Sequence, residues 1–273
     1  MKNHNHKMMR RVLSLTLALF GAVALASSPA FATCADITTA GVTHSNLTTA
    51  LQTAVAAGNG GLGFNMWATI VDRDGIVCLV ARSGAAGTQW PGSRVISAQK
   101  ANTANAFSLP GFALSTANLW AATQPGGSLF GLQESNPVDP AVAYGDNTVA
   151  ASQGADSTTA PAYGAPGDPL VGKYIGGVNV FGGGLALYNN GTLVGGLGVS
   201  GDTSCADHNI AWRVRDTLNL DNVPDGVGNG GVNDGIIYDI TGSHGNFASK
   251  SGFGHPLCGG TERNVARSIG AGG

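Results

Sequence analysis

The residues able to do chemistry are few, and the leading one lies in the stretch Gly182 to Leu218. His208 stands there in the first turn of a predicted helix, just after a glycine-rich exit, with Asp207 beside it in sequence. An imidazole so placed can offer a ring nitrogen to a metal, which makes His208 the first ligand candidate. His44, just before the first predicted helix, is the second. Lys100 and Arg94 share another predicted helix and could each hold a carboxylate, although a mid-helix lysine is ordinarily solvated. His244 and His255 could also ligate a metal, but their separation fits no tight helical pair. No paired carboxylates or nucleophile-base arrangement occur at a recognisable spacing, and Ser200 sits in GVSG rather than a GxSxG elbow. The pattern favours ligand binding over dedicated acid-base catalysis.

The cysteines are Cys34, Cys78, Cys205 and Cys258, an even number with wide spacing and no CxxC pair. That argues for disulfides in an oxidising compartment and against zinc. Three pairings are open to four cysteines. The preferred one joins Cys34 to Cys78 and Cys205 to Cys258, which would pin the C-terminal tail to the start of the helix at Ser204. The compartment is consistent: MKNHNHKMMRR, the apolar run from Val12 to Ala26 and the site Ala30-Phe31-Ala32 read as a secretory signal peptide over residues 1–32. Removing Lys2, Lys7, Arg10 and Arg11 leaves ten basic residues against sixteen acidic ones, a balance of about −6. That charge gives no electrostatic case for nucleic acid or an anionic membrane, and no second long apolar run follows.

The elements that must position these residues follow from periodicity. Leu47, Ala50, Leu51, Ala54 and Val55 predict a helix over about 45–57, closed by Gly58. Met66 to Val71 and Ile76 to Arg82 predict strands around an Asp74-Gly75 turn, and Arg94 to Phe107 predicts the helix carrying Lys100. A shorter helical piece is expected at 115–122, and a short strand from Tyr174 to Phe181. Leu185, Leu187, Leu193 and Val199 flank Asn190-Gly191, a hairpin signature. The next helix starts at Ser204, whose hydroxyl is the expected cap, and presents Ala206, Ile210, Val214 and Leu218 as one apolar stripe. GNGGLG at Gly58 to Gly63 matches a dinucleotide fingerprint, but it follows a helix and precedes a strand, so it is rejected.

Residues 124–172 dissolve into Pro, Gly, Ser, Asp and Thr, and read as a surface insertion or binding loop. The run after Leu218 resembles a calcium loop loosely, but Val223 occupies a ligand position, which leaves a turn-rich linker. The expected organisation is therefore a domain over 33–220 with the 124–172 insertion, then a Gly/Asn-rich extension over 221–273. Hairpins with helices grouped around them predict an α+β sheet-and-helix sandwich.

VDRDG at Val71 to Gly75, KANTANAF at Lys100 to Phe107, the run from Gly183 to Gly201 and the following CADHNIA together resemble the haem-binding and haem-degrading family that includes HbpS and GlcG. The resemblance implies a profilin-like α-β-α sandwich with a central antiparallel sheet, frequent homo-oligomers, and in some members extracellular haem binding with oxidative breakdown. On that footing His208 becomes the expected iron ligand with His44 behind it, while Lys100 and Arg94 become expected partners of the propionates. The cofactor would be haem b held non-covalently, since CxxCH is absent. The insertion, the cysteines and the extension depart from the family's short form. They leave a second reading open: a haem-free protein binding a small carboxylate or a partner, in either case exported to the periplasm or beyond.

Overall fold

In the computed structural model, which describes residues 32–144, 162–242 and 247–273, all within the unit Phe31–Gly273, four strands make one antiparallel sheet. They are β1 (Trp67–Asp72), β2 (Val77–Arg82), β3 (Gly184–Asn189) and β4 (Thr192–Ser200), in the order β2-β1-β4-β3. Successive side chains point to opposite faces of a strand. In β1, Ala68 and Ile70 accordingly join one core with Leu185, Leu187 and Val199, whereas Trp67 and Val71 join another with Val95, Ala98 and Ala101. Both faces are covered, so every residue of β1 is buried.

Helices α1 (Cys34–Thr39), α2 (His44–Ala56) and α6 (Ser204–Thr217) supply the first core, and α3 (Ser93–Ala106) covers the other face. The fold is thus α+β, an α-β-α sandwich around a central antiparallel sheet, as the family resemblance implies. The signal-peptide expectation falls on residues that, except for Ala32, lie outside the described ones, and so does His244. Among the described residues no helix is long and apolar enough to cross a membrane.

Glycine sets how closely α3 can lie on β4. A Cβ at Gly198 would sit 1.9 Å from the Ser97 carbonyl oxygen, and one at Gly196 would sit 2.3 Å from that of Ala101. The GGLG run is therefore a packing surface. At the hairpin tip Asn190 and Gly191 adopt φ of 49° and 79°, the left-handed pair of a two-residue turn. The β1–β2 turn is longer than expected. Only Gly75 is left-handed, the amide of Gly75 donates to the Asp72 carbonyl, and that of Asp72 to Ile76, which makes a three-residue loop. Asp72 Oδ1 accepts from the Asp74 and Ile76 amides, both at 3.0 Å, as a turn-forming carboxylate should.

Several expectations need correction. The cap of α6 is Thr203, not Ser204: Thr203 keeps an extended ψ of 148° and its hydroxyl accepts from the Ala206 amide at 3.3 Å, while Ser204 is already helical. No strand forms over 174–181, where Gly176 and Gly177 both take positive φ. The piece at 115–122 divides into a 3₁₀ turn (Thr116–Asn118) and α4 (Leu119–Ala122). The described parts of the insertion are not an open loop, because Ala143 of α5 (Pro140–Tyr144), Tyr163 and Leu170 are buried in the core beneath α3.

The extension folds back on α6 through β5 (Ile240–Thr241), β6 (Ala248–Ser249) and α7 (Glu262–Ser268), with Ile236, Tyr238, Ala266 and Ala271 packed around Cys205. The preferred disulfides are present: Cys34 to Cys78 and Cys205 to Cys258, 44 and 53 residues apart in sequence. Closing loops of that length stabilises by about 4 kcal/mol each in the chain-entropy account.

Replacing Gly198 by Ala should destabilise the protein by about 1–3 kcal/mol, because α3 must move off the sheet. Urea unfolding followed by circular dichroism would show it as a lower midpoint; an unchanged midpoint would contradict the close α3–β4 contact.

Candidate functional site

The polar groups gather around the first turns of α6. Lys100, from the middle of α3, is fully buried rather than solvated, and its Nζ donates to Asp207 Oδ2 at 2.7 Å and to the Val199 carbonyl at 3.1 Å. The Phe181 ring lies 4.4 Å away. Gly183 makes this approach possible, since a Cβ there would come within 3.0 Å of both Lys100 Nζ and Asp207 Cβ. Burial raises the Asp207 pKa to about 6 against the opposing pull of Lys100, and burial likewise lowers that of Lys100. The other Asp207 oxygen accepts from the Asp202 amide at 2.9 Å.

His208 is one position further round the helix and points elsewhere, as the 100° step per residue requires. It is fully enclosed, with Nε2 3.2 Å from the Ala271 carbonyl oxygen and the Trp212 ring 5.9 Å away. The carbonyl can only accept, so Nε2 carries the proton and Nδ1 presents a lone pair. That Nδ1 has no hydrogen-bond partner among the described residues. Burial pushes the His208 pKa down to about 4, outweighing the nearby Asp234 charge, so the ring is neutral near pH 7. Here a side chain is held in a form that suits a ligand, with its lone pair unused.

Arg94 and His44 form a different group. Arg94 makes a buried two-pronged pair with Asp168 and lies 4.0 Å over the Tyr163 ring. Asp168 also accepts from the Gly164 amide at 2.8 Å, and the Gly164 carbonyl accepts from His44 Nε2 at 3.0 Å. Both side chains therefore serve the end of the insertion. The four predicted residues do not surround one slot: Lys100 and His208 flank the Gly182–Gly183 passage, whereas Arg94 and His44 meet at Gly164 to Asp168.

The sequence reading missed what the extension brings to α6. His255 lies against it, with Nδ1 donating to the Pro256 carbonyl at 2.7 Å and Nε2 accepting from the Ser204 hydroxyl at 3.1 Å. Its burial pushes its pKa down to about 4 as well. Arg215 forks onto Asp234 at 2.7 and 2.8 Å, which anchors the turn-rich linker to α6. The Gly58 to Gly63 loop does bind an anion, though not a phosphate: the Leu62, Gly63 and Phe64 amides all donate to the Asp202 carboxylate. Only the even cysteine count hints at this arrangement in the sequence.

Two outcomes follow. Lys100→Met leaves the buried Asp207 without its countercharge and should cost about 3–5 kcal/mol in urea unfolding, with much of the loss recovered by adding Asp207→Leu. Stability should also fall as pH drops from about 6.5 to 4, where unfolded histidines take up protons that His208 and His255 refuse, by at most about 3 kcal/mol each. Asp207 acts oppositely between 3.8 and about 6, since its raised folded pKa favours folding as pH falls. His208→Gln should therefore flatten the acid limb of thermal stability against pH; an identical limb would show that His208 is not held neutral.

Comparison with known proteins bears on what this arrangement serves. The family model described as haem degrading protein HbpS-like matches residues 42–215, from the start of α2 to the last turn of α6. The chain is similar in structure to PduOC solved as a haem complex, with 25% identity, 64% of this chain and 91% of that one covered, and a TM-score of 0.43. It is also similar to the Klebsiella pneumoniae protein ORFY, at 22% identity, coverages of 65% and 90%, and a TM-score of 0.41. A double mutant of Streptomyces reticuli HbpS gives 19% identity, coverages of 76% and 99%, and a TM-score of 0.36. No curated protein sequence matches the chain. The matched segment supplies all four strands of the central sheet with α2, α3 and α6 from its two faces, and on that ground the chain belongs to the HbpS-like family of haem-degrading proteins.

Proposed function

We propose that this protein is an exported haem-binding protein that holds haem b without covalent attachment, works in the periplasm or outside the cell, and assembles into homo-oligomers. The observation that carries this reading is the match to a haem-degrading family across the whole sheet and both helix layers. Breakdown of the bound haem by peroxide is the accompanying activity. His208 supports it with a neutral ring nitrogen whose lone pair is unused, a suitable iron ligand.

The porphyrin itself does not fit against His208 in the arrangement described. Zero exposure means that not even water-sized space adjoins the side chain. Lys100 and Arg94, the expected propionate partners, are committed to Asp207 and Asp168. Haem can reach His208 only if the residues that enclose its ring move away. The same enclosure favours the second reading, a haem-free protein for a small carboxylate or a partner, although a carboxylate at Lys100 would have to displace Asp207.

A haemin titration of the mature oxidised protein, with His208→Ala alongside, separates the two. Saturable binding at about one haem per chain or per subunit pair, with a Soret shift and at least tenfold weaker binding in the variant (about 1.4 kcal/mol), is the expected result. Equal affinity and an equal ferric spectrum in the folded variant would remove His208 from the account. Nonsaturating binding with a free-haemin spectrum would transfer the proposal to the haem-free reading.

A further inference from the structure

The Cys205–Cys258 disulfide has a third metal-ligand side chain beside it. His255 Nδ1 lies 3.8 Å from Cys205 Sγ, and one donor atom from each of Cys205, His255 and Cys258 falls within 4.8 Å of the other two. A tetrahedral cation bound at about 2.0–2.3 Å needs its sulfur and nitrogen donors roughly 3.5–4 Å apart; Cys205 Sγ and His255 Nδ1 already stand at that scale, and the two sulfurs, bonded to each other, would part to it on reduction. While the sulfurs are bonded to each other, neither is a thiolate and the set is latent.

The surroundings suit the reduced form. Cys205 lies in the first turn of the 14-residue α6, where the helix end favours a thiolate, and its amide donates to Cys258 Sγ at 3.2 Å. Ser204 Oγ stands 3.1 Å from His255 Nε2. With Nδ1 turned from the Pro256 carbonyl to a metal, the Nε2 proton would go to that hydroxyl, the outer hydrogen bond that fixes the tautomer of a liganding histidine. A cleft of about 260 Å³ lies beside the disulfide, lined by Cys205, Cys258, Gly259 and Glu262. It gives a thiol or an ion a way in and leaves a fourth position for water.

We propose that reduction of Cys205–Cys258 converts this tie into a Cys₂His site for a thiophilic divalent cation of the zinc class. The step balances: two molecules of a low-molecular-weight thiol supply two electrons and two protons and become one disulfide, leaving Cys205 and Cys258 as thiols. The cation then displaces those two protons and takes the neutral imidazole as its third ligand. The extension thereby stays fastened to α6 by coordination when the covalent bond is gone. This inference is independent of haem binding.

The test uses the full mature chain carrying Cys34→Ser and Cys78→Ser, because Cys34, Asp72 and Cys78 form a second group of similar reach. The protein is reduced, freed of reductant without air and titrated with Co²⁺, then with Zn²⁺ in competition. About one Co²⁺ per chain, sulfur-to-cobalt charge transfer and tetrahedral visible bands, all erased by Zn²⁺ and absent from the oxidised protein, are expected. His255→Ala should weaken binding at least tenfold. No stoichiometric binding by folded, reduced protein, or unchanged affinity in His255→Ala, would overturn the proposal. Should the variant not fold, the ¹⁵N resonances of His255 decide in the unsubstituted chain: zinc must shift Nδ1 and leave Nε2 protonated, and an unmoved Nδ1 rejects the site.

Discussion

The buried contact between Lys100 and Asp207 is the constraint from which the site's geometry follows. It joins α3, on one face of the sheet, to the first turn of α6, and it takes in the end of β4 through the Val199 carbonyl. A buried ion pair contributes little net stability, since desolvation offsets much of the attraction, but losing one partner is severe. Its effect here is specificity. Asp207 can meet Lys100 only if α6 begins where it does, and its second oxygen then fixes the Asp202 amide. Asp202 in turn collects three amides of the loop after α2. One lysine thus sets the order of a chain of contacts that runs through two carboxylates to a loop on the far side of α6.

The insertion and the extension are secured by the same kind of interaction. Arg94 holds the insertion through Asp168, and Arg215 holds the extension through Asp234. In each case the arginine belongs to a sandwich helix and the carboxylate to the added segment. A planar guanidinium forked onto a carboxylate is directional, which suits segments with too little regular structure to define their own position. The extension has the further tie of Cys205 to Cys258, and it needs one, because its strands are two residues each.

Much of the sandwich was legible because its signals are local. Asn190-Gly191 fixes a turn by backbone conformation, and the stripes on α2 and α6 repeat every three to four residues. The site was less legible because its contacts are remote: Lys100 and Asp207 are 107 residues apart, and Arg94 and Asp168 are 74. Nothing in the immediate neighbourhood of a mid-helix lysine says that it will be buried. In the sequence the glycines of β4 stand out only as part of a family resemblance, whereas their physical role, letting the α3 backbone touch the sheet, needs the partner helix in view. The extension lacks periodicity, so only its cysteine hinted at where it returns.

The enclosure of His208 sets a condition on any ligand that reaches it. The Ala271 carbonyl accepts both from His208 Nε2 and from the Ile236 amide, at 3.2 and 2.8 Å, and the Gly273 amide donates back to Ile236. The contact depends on small residues, since a Cβ at Gly272 would fall 2.1 Å from the Ile236 carbonyl oxygen. Opening the site breaks these bonds and wets a buried histidine, so the open form is a minor state of the free protein. Apparent affinity is then the intrinsic affinity reduced by the open fraction. The disulfide at Cys258 limits how far the segment can travel, and the stretch from Gly259 to Gly272 is itself fastened, since Glu262 accepts from the Thr203 hydroxyl and Ala266 packs around Cys205. The extension, which lies beyond the segment shared with the family, thus supplies the carbonyl that closes over His208 Nε2.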